Sequence, residues 1–285
     1  MLKNSFKNLL KYILVMFIGF AFTTNAFATI TGNNSFATAY DIGYWQYGNY
    51  DVTHLDPNQS EAYYKFTANT GDRVYARSSY DAYTGMKIET IASNQSTVLD
   101  TGTTVMDSSS FSPFIFAKAD ATSNGQVFYI RVTRGSFTGD MYFTVRVFDR
   151  IKSGSGVYNF SGTASNTGNY IGGPGKDSSV IYCNLIGSSS IPTGAKVKSI
   201  TTTGSQSPVQ GNVWHNIQSS QTSTWYASTI SSSSNGSYNI TLANNLDVAR
   251  NWGFKYHTKA VGSSSMTNVK ATIQYEYDET LGFKP

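Results

Sequence analysis

Hydrophobic and polar residues alternate at period two along several stretches of the chain, which is the pattern of half-buried β-strands. The clearest stretch, residues 61–76, reads Glu-Ala-Tyr-Tyr-Lys-Phe-Thr-Ala, then Asn-Thr-Gly-Asp, then Arg-Val-Tyr-Ala. Residues 125–132 and 139–147 show the same alternation around a second Gly-Asp turn. Glycine and aspartate at such turns favour a chain reversal between antiparallel strands. The pattern therefore predicts two antiparallel strand pairs.

About seven strand-like runs lie between Asn33 and Asp149, at the spacing typical of an antiparallel β-sandwich. The residues that we expect in its core share one face of these runs: Tyr63, Phe66, Val74, Phe114, Phe116, Phe128, Ile130, Val132, Tyr142 and Val145. The alternation stops after Arg150, where serine and glycine dominate, and we interpret residues 151–156 as a linker.

Strand-like runs resume at Val157 and continue to about Asp278, separated by short Ser, Gly and Asn clusters that are typical of surface turns. The lone cysteine, Cys183, shares a strand face with Ile181 and Leu185, so we expect a small buried hydrophobic residue there. The sequence thus predicts an all-β protein of two consecutive antiparallel β-sandwich domains, jelly-roll-like in architecture, at residues 29–150 and 157–285.

The first 28 residues have the pattern of a signal peptide. Three lysines precede an apolar run at residues 12–22, and Ala26-Phe27-Ala28 supplies a small-x-small cleavage site. The apolar run is short for a membrane span, so we expect cleavage before Thr29, secretion, and no membrane anchor in the mature form. The whole chain carries 21 basic and 17 acidic residues, so without those three lysines the mature charge is 18 − 17 = +1. This charge, without any basic cluster, argues against a nucleic-acid partner.

Three segments of the first half follow a known order: Asn-Asn-Ser-Phe-Ala-Thr-Ala at residues 33–39, Tyr-Tyr-Lys-Phe with Gly-Asp-Arg-Val within residues 63–74, and Tyr-Ile-Arg-Val with Gly-Asp-Met-Tyr within residues 129–142. In this order, residues 33–149 resemble the bacterial pre-peptidase C-terminal domain, a family that includes the collagen-binding domains of clostridial collagenases. The resemblance implies an accessory sandwich that can recognise a matrix polymer. Residues 191–200 and the closing Val-x-Ala-x-Ile-x-Tyr resemble the jelly-roll modules at the ends of secreted subtilisin-type proteases.

Catalytic motifs are absent from the sequence. The three histidines, His54, His215 and His257, lie in no His-Glu-x-x-His motif, and the chain has no Gly-x-Ser-x-Gly elbow and no phosphate-binding loop. The acidic residues of the second half do not form an obvious carboxylate pair of the kind that glycosidases use. We therefore expect a protein that is not an enzyme, while a Ser/His/Asp set that converges only in the fold stays open.

Calcium binding is a property that the resemblance implies and the residues oppose. In the resembled family, acidic residues before the Asn-Asn-Ser segment and an Asp-x-Asp before the Tyr-Phe strand supply the hard oxygen ligands of calcium. Here residues 29–32 and 60–62 contain only one acid, Glu61, so Asn33 and Asn34 are the other candidate ligands. We expect no cofactor and no metal, with a weak calcium site as the alternative.

Aromatic residues are the best candidates for a binding surface. Tyr44, Trp45, Tyr47 and Tyr50 place four rings in seven residues around a glycine, and Trp214 and Tyr226 are the candidates in the second half. Tyrosine and tryptophan offer rigid contact area with a polar edge. Alternation instead favours the core for Trp225 and Trp252.

These patterns together predict a secreted, non-catalytic binding or accessory protein that recognises an extracellular polymer, either a collagen-like protein or a polysaccharide. The alternatives are a secreted hydrolase of unrecognised type whose second domain is catalytic, and a structural subunit of an extracellular matrix that assembles through exposed strand edges.

Overall fold

The computed structural model describes residues 29–49, 51–79, 83–105, 113–229, 235–242 and 245–283. The predicted all-β class is confirmed, because these residues form strands in several mostly antiparallel sheets and their helices are short 3₁₀ turns. None of the helices in these ranges is long and apolar enough to span a membrane.

The described residues form two compact units. The first contains those within 29–71, 76–104 and 113–148, and the second contains those within 72–75, 105 and 149–283. Independent folding of two domains divided near residue 150 stays a prediction.

Before Arg150 the chain forms a 3₁₀ helix (Trp45–Tyr47) and the following strands: β1 (Thr29–Ile30), β2 (Tyr40–Tyr44), β3 (Val52–Leu55), β4 (Glu61–Ala68), β5 (Arg73–Ser79), β6 (Lys87–Ala92), β7 (Val98–Thr101), β8 (Thr103–Val105), β9 (Phe114–Asp120), β10 (Gln126–Thr133), β11 (Met141–Phe143) and β12 (Val145–Asp149). Their sheet orders are β2-β4-β10-β6-β7, β12-β5-β9-β8 and β1-β3-β11.

The two alternating stretches of the first half form strands, as predicted, but not as two local pairs. β4 pairs antiparallel with β10, from Ala62 opposite Val132 to Ala68 opposite Gln126, while β5 lies in another sheet beside β12. Period-two alternation identifies a strand with one buried face, but it does not specify which strand is its neighbour.

Nine of the ten residues predicted for the first core are buried, and the exception is Tyr142. Met141 and Phe143 take the inward positions of β11, so Tyr142 points outward, is 55% exposed, and stacks on His54 at 4.7 Å. The core assignment of Tyr142 is wrong because adjacent aromatic residues in a strand must point to opposite faces.

From Arg150 onward the chain forms a final 3₁₀ helix (Glu279–Gly282) and the following strands: β13 (Ile151–Asn159), β14 (Ala164–Asn166), β15 (Lys176–Asp177), β16 (Ile181–Asn184), β17 (Lys196–Ser207), β18 (Val213–Ser219), β19 (Trp225–Ala227), β20 (Tyr238–Ile240), β21 (Asn251–Thr258) and β22 (Ser264–Asp278). One sheet has the order β13-β22-β17-β20, with β14 also on β22, and the other has the order β15-β21-β18-β19, with β16 also on β21.

The predicted linker at residues 151–156 is wrong, since these residues begin β13. This strand pairs antiparallel with β22 from Ile151 opposite Asp278 to Asn159 opposite Lys270. A Cβ atom at Gly154 would lie 2.5 Å from Cε2 of Tyr275, so glycine makes room for that ring. The low apolar content of the segment thus reflects close packing against aromatic rings rather than a flexible connection.

A hydrophobic cluster of described residues occupies the core of the second unit. Trp252, Phe254 and Ile273 are buried in it, and so is Cys183, as predicted. Burial also raises the pKa of the Cys183 thiol above its usual value.

Candidate ligand-binding face

The sheet β15-β21-β18-β19 presents one side to the core and the other to solvent. Trp252, Phe254 and Tyr256 of β21 point inward and are buried, whereas Lys255 and His257, which follow Phe254 and Tyr256, are only partly buried. The same alternation in β18 turns Trp214 and Gln218 outward. Cross-strand register then brings outward side chains from distant parts of the sequence side by side.

Trp214, His257 and Asp177 form a row across three strands. Trp214 lies opposite His257 in the ladder of β18 with β21, and Asp177 lies opposite His257 on the other side. The indole and imidazole rings stack with centroids 3.8 Å apart and planes 20° apart. The imidazole Nδ1 lies 2.6 Å from Oδ1 of Asp177, and Nε2 lies 3.4 Å from the carbonyl oxygen of Pro174. This arrangement fixes the plane of the Trp214 ring.

Lys255 links this row to a second aromatic group. Its Nζ lies 2.5 Å from Oδ2 of Asp177 and 4.5 Å from the centroid of the Trp225 ring, a cation–π distance. Burial alone would raise the pKa of the Asp177 carboxyl, but its hydrogen bonds and charge interactions with Lys255 and His257 outweigh burial and hold that pKa below its usual value. The carboxylate is therefore charged and paired at neutral pH.

Gly253 leaves space between the rings of Trp225 and Tyr182. Tyr182 is its partner in β16, and a Cβ atom at Gly253 would lie 3.3 Å from Cη2 of Trp225 and 3.5 Å from Cε1 of Tyr182. Tyr182 is 54% exposed. We call the outward side chains of this sheet the aromatic face; its members are Asp177, Tyr182, Trp214, Trp225, Lys255 and His257.

His215 lies directly beneath this face, on the core side of β18. Its side chain is fully buried, its ring stacks on Tyr238 at 3.7 Å, and its Nδ1 lies 2.8 Å from Oγ1 of Thr202. No hydrogen-bond partner for its Nε2 occurs among the described residues. Burial lowers the pKa of His215 from 6.5 to about 3, so the ring is neutral at physiological pH.

Among the first-half candidates that the structure describes, only Tyr47 is largely exposed. Trp45 is buried, Tyr44 is partly buried with its ring 5.9 Å from that of Tyr47, and Tyr47 is 77% exposed. Tyr50 lies outside the described residues. The predicted ligand role of Trp45 is wrong, because its ring fills the interior of the first unit.

In the second half, Trp214 lies on the aromatic face and Tyr226 does not. Tyr226 is the ladder partner of buried Ile217 and packs against the core, so its neighbour Trp225 points outward. The core prediction for Trp252 is confirmed, and that for Trp225 is wrong. Tyr182 was missed, although the expected inward positions of Ile181 and Cys183 already imply that it points outward.

The three candidate calcium ligands do not converge. Asn33 is buried and donates from Nδ2 to the carbonyl oxygen of Tyr63 at 2.9 Å, whereas Glu61 accepts from the Tyr63 hydroxyl at 2.5 Å. Asn34 accepts from Oγ1 of Thr38 within a local turn. The described residues contain no group of three or more His, Cys, Asp or Glu side chains that could hold a metal ion.

A concave region of about 660 Å³ lies elsewhere in the second unit, and positively and negatively charged side chains line it. Lining charges pair with one another: Lys198 with Glu276 at 2.9 Å, and Arg73 with Asp278 at 3.6 Å. Because the charges are matched, the cleft offers no clear preference for a charged ligand.

Comparison with known proteins identifies one full-length relative. The chain is 49% identical over 283 residues to the uncharacterized protein YbdN of Bacillus subtilis (strain 168), covering 97% of this chain and 99% of YbdN. The chain belongs to the YbdN family. No model of a protein family matches the sequence.

Two solved structures match this YbdN relative distantly. One is a protein of Eubacterium rectale inferred to be secreted, which is 8% identical. The match covers 87% of this chain and 84% of the E. rectale chain, with a TM-score of 0.36. The other is the pre-peptidase C-terminal domain of a Bacillus anthracis collagenase, which is 16% identical. The match covers 39% of this chain and 94% of that domain, with a TM-score of 0.30. TM-scores of this size do not establish a common fold.

Proposed function

We propose that this YbdN relative is an exported, non-catalytic binding protein that holds an extracellular polymer on its aromatic face. The observation that carries the proposal is the placement of Tyr182, Trp214 and Trp225 on the outward side of one sheet, where a core role does not explain them. Lys255 contacts the Trp225 ring and His257 stacks on Trp214. These contacts hold the two rings in place, so less side-chain conformational entropy is lost when a ligand binds.

Among extracellular polymers, we propose a neutral polysaccharide. Sugar rings present an apolar face and a hydroxyl-rich edge, which suit an aromatic ring with hydrogen-bonding groups beside it. Gln218 is the ladder partner of Trp225 and supplies such a group beside that ring. Because Lys255 is already paired with Asp177, the face offers little net charge to an anionic polymer. The resemblance of the first half to collagen-binding domains makes collagen the second ligand to test.

Export rests on the sequence of the first 28 residues, which lie outside the described residues. The lysine-rich start, the short apolar run and the Ala26-Phe27-Ala28 site together support a cleaved signal peptide. A polymer outside the cell is the kind of ligand that an exported binding protein can reach.

The test is retention of purified protein on insoluble chitin, cellulose and collagen. We expect retention on a polysaccharide, and a loss of roughly tenfold in affinity for Trp214→Ala or Trp225→Ala, as for aromatic anchors of other binding surfaces. Tyr182→Phe keeps the ring and serves as the matched control, whereas Tyr47→Ala tests the first-half candidate. Equal retention of all these variants on every polymer would refute the role of the aromatic face.

The Asp177–His257 pair is the observation that favours the hydrolase alternative, because carboxylate–imidazole pairs serve in general base catalysis. However, Nε2 of His257 faces the carbonyl oxygen of Pro174, which is an acceptor and not a nucleophile. A panel of glycosidase and protease substrates, with His257→Gln as the inactive control, distinguishes an enzyme from a binding protein. Hydrolysis that disappears in His257→Gln would favour the enzyme.

The matrix-subunit alternative draws on the edge strand β7, where Val98 and Leu99 are 43% and 45% exposed. An edge strand with exposed apolar side chains can pair with a second chain. Sedimentation velocity at rising concentration tests this alternative, and a monomer at all concentrations would argue against it.

A further inference from the structure

Three loops meet at one end of the second unit. Val213 at the start of β18 lies opposite Thr258 at the end of β21, so the loop before β18, residues 208–212, lies beside the loop after β21, residues 259–263. β15 pairs with β21 at the same residue, which brings the loop before β15, residues 167–175, to the same end.

Direct contacts hold these loops together. The backbone N–H of Asn169 donates to the carbonyl oxygen of Ala260 at 3.1 Å, and Nε2 of Gln210 donates to the carbonyl oxygen of Gly262 at 2.8 Å. Gly168 has φ +81°, and a Cβ atom there would overlap the backbone of the 259–263 loop. The three loops are therefore a packed surface and not separate flexible tails.

Large hydrophobic side chains project from all three loops. Ile171 is 87% exposed, Tyr170 70%, Val209 67% and Val261 53%. They account for four of the twelve large hydrophobic side chains that are exposed in the described parts of the chain. We call the surface formed by Tyr170, Ile171, Val209 and Val261 the apolar loop end. Single exposed hydrophobic side chains are common on proteins, whereas a group of them at one place is typical of an interaction surface.

The charge of the same loops is positive. Lys259 begins the loop after β21, Lys176 follows the loop before β15 directly, both are exposed, and the three loops contain no aspartate or glutamate. Lys176 donates from Nζ to Oγ1 of Thr167 at 2.7 Å, a neutral partner that leaves its charge unmatched in that contact. The nearest acid in sequence, Asp177, is already paired with Lys255. The apolar side chains are thus flanked by cations.

We infer that the apolar loop end docks on the surface of an anionic phospholipid bilayer. A few protruding apolar side chains inserted at the headgroup boundary, with lysines beside them, combine the two interactions by which peripheral proteins bind anionic membranes. The charge complementarity of Lys176 and Lys259 selects an anionic surface over a neutral one. The docking residues differ from those of the aromatic face, although Pro174 of the 167–175 loop contacts His257 of that face.

Vesicle flotation tests this inference with protein beginning at Thr29, which lacks the apolar run of residues 12–22. We expect binding to vesicles of phosphatidylglycerol and phosphatidylcholine, and much weaker binding to phosphatidylcholine alone. The double variant Tyr170→Ser/Ile171→Ser should lose roughly 100-fold in partitioning, because two large apolar side chains no longer enter the interface. The double variant Lys176→Gln/Lys259→Gln should lose roughly 30-fold, the factor expected from two surface lysines.

Matched controls change similar residues elsewhere. Ile186→Ser removes an exposed isoleucine from the loop after β16, and Lys270→Gln removes an exposed lysine from β22; both should bind vesicles as the parent protein does. Trp214→Ala should leave vesicle binding unchanged and reduce polymer binding, whereas the loop variants should do the reverse. Absence of binding to the anionic vesicles, equal binding to neutral vesicles, or equal losses in the control variants would overturn the inference.

Discussion

Buried His215 should make the second unit less stable as the pH falls below 7. In the unfolded chain the imidazole takes up a proton near its ordinary pKa of 6.5, whereas the native ring stays neutral down to a pKa of about 3. Protons therefore bind preferentially to the unfolded state between these values. The free energy of unfolding is therefore unaffected by His215 above pH 6.5, and it decreases as the pH falls from 6.5 toward 3.

The size of the effect follows from linkage. Each pH unit below the unfolded pKa costs about 1.4 kcal/mol, so the free energy of unfolding should fall by about 2 kcal/mol between pH 7 and pH 5. This interval lies well above the native pKa of about 3, so the result depends little on its exact value. The carboxylates with lowered pKa values, such as Asp177 and Asp247, affect stability mainly at lower pH.

The assay is urea unfolding at pH 7, 6 and 5, followed by tryptophan fluorescence in a Trp45→Phe background. The remaining tryptophans, Trp214, Trp225 and Trp252, all belong to the second unit. His215→Gln removes the titrating group, and its comparison with the parent cancels the contributions of the other histidines, which both proteins share. If the variant does not fold, the total proton uptake on unfolding of the parent at pH 5.5 can be measured, and His215 should contribute about one proton to it. Equal pH dependence in the two proteins, or no proton uptake, would show that the reasoning about burial is wrong.

Four other expectations can be checked directly. The intact mass of the secreted protein should correspond to a chain that starts at Thr29, and a mass that includes Met1 would contradict the signal peptide. The melting temperature should be the same with calcium as with chelator, because the described residues do not gather carboxylates at the candidate site. Trp45→Ala should lower the free energy of unfolding of the first unit by about 3 to 5 kcal/mol, since it removes a buried ring. An unchanged urea midpoint would contradict the burial of Trp45. Gly175→Ala should lower the free energy of unfolding by about 1 to 2 kcal/mol, because φ there is +104° and the new Cβ would overlap His257. Polymer binding of this variant should also fall. Retention equal to that of the parent would argue that His257 does not position Trp214.

The strands of the first half could be predicted from alternation because each buries one face. Their partners could not, since β4 finds β10 more than fifty residues away and β5 lies in a different sheet. Adjacent aromatic residues are ambiguous for a related reason. In Trp225-Tyr226 either ring could point inward, and only the register of β19 against Ile217 decides which one does.

The aromatic face was predicted only through Trp214. Asp177 and His257 are 80 positions apart, and nothing local in either segment indicates that β15 pairs with β21. The segment 151–156 fails as a linker for the opposite reason: its composition is that of a loop, but Gly154 is required where the ring of Tyr275 packs on the strand. In both cases the decisive information is a contact between distant segments.

The long strand β22 also controls when the second unit can form. It pairs with β13, β14 and β17, so one sheet of this unit is incomplete until residues 264–278 are available, more than one hundred residues after β13. Contacts of such long sequence separation form slowly, because the intervening chain must close before they contribute. On the proposal that the chain is exported before it folds, this order of assembly delays closure of the sheet until residues 264–278 have followed the rest of the chain across the membrane.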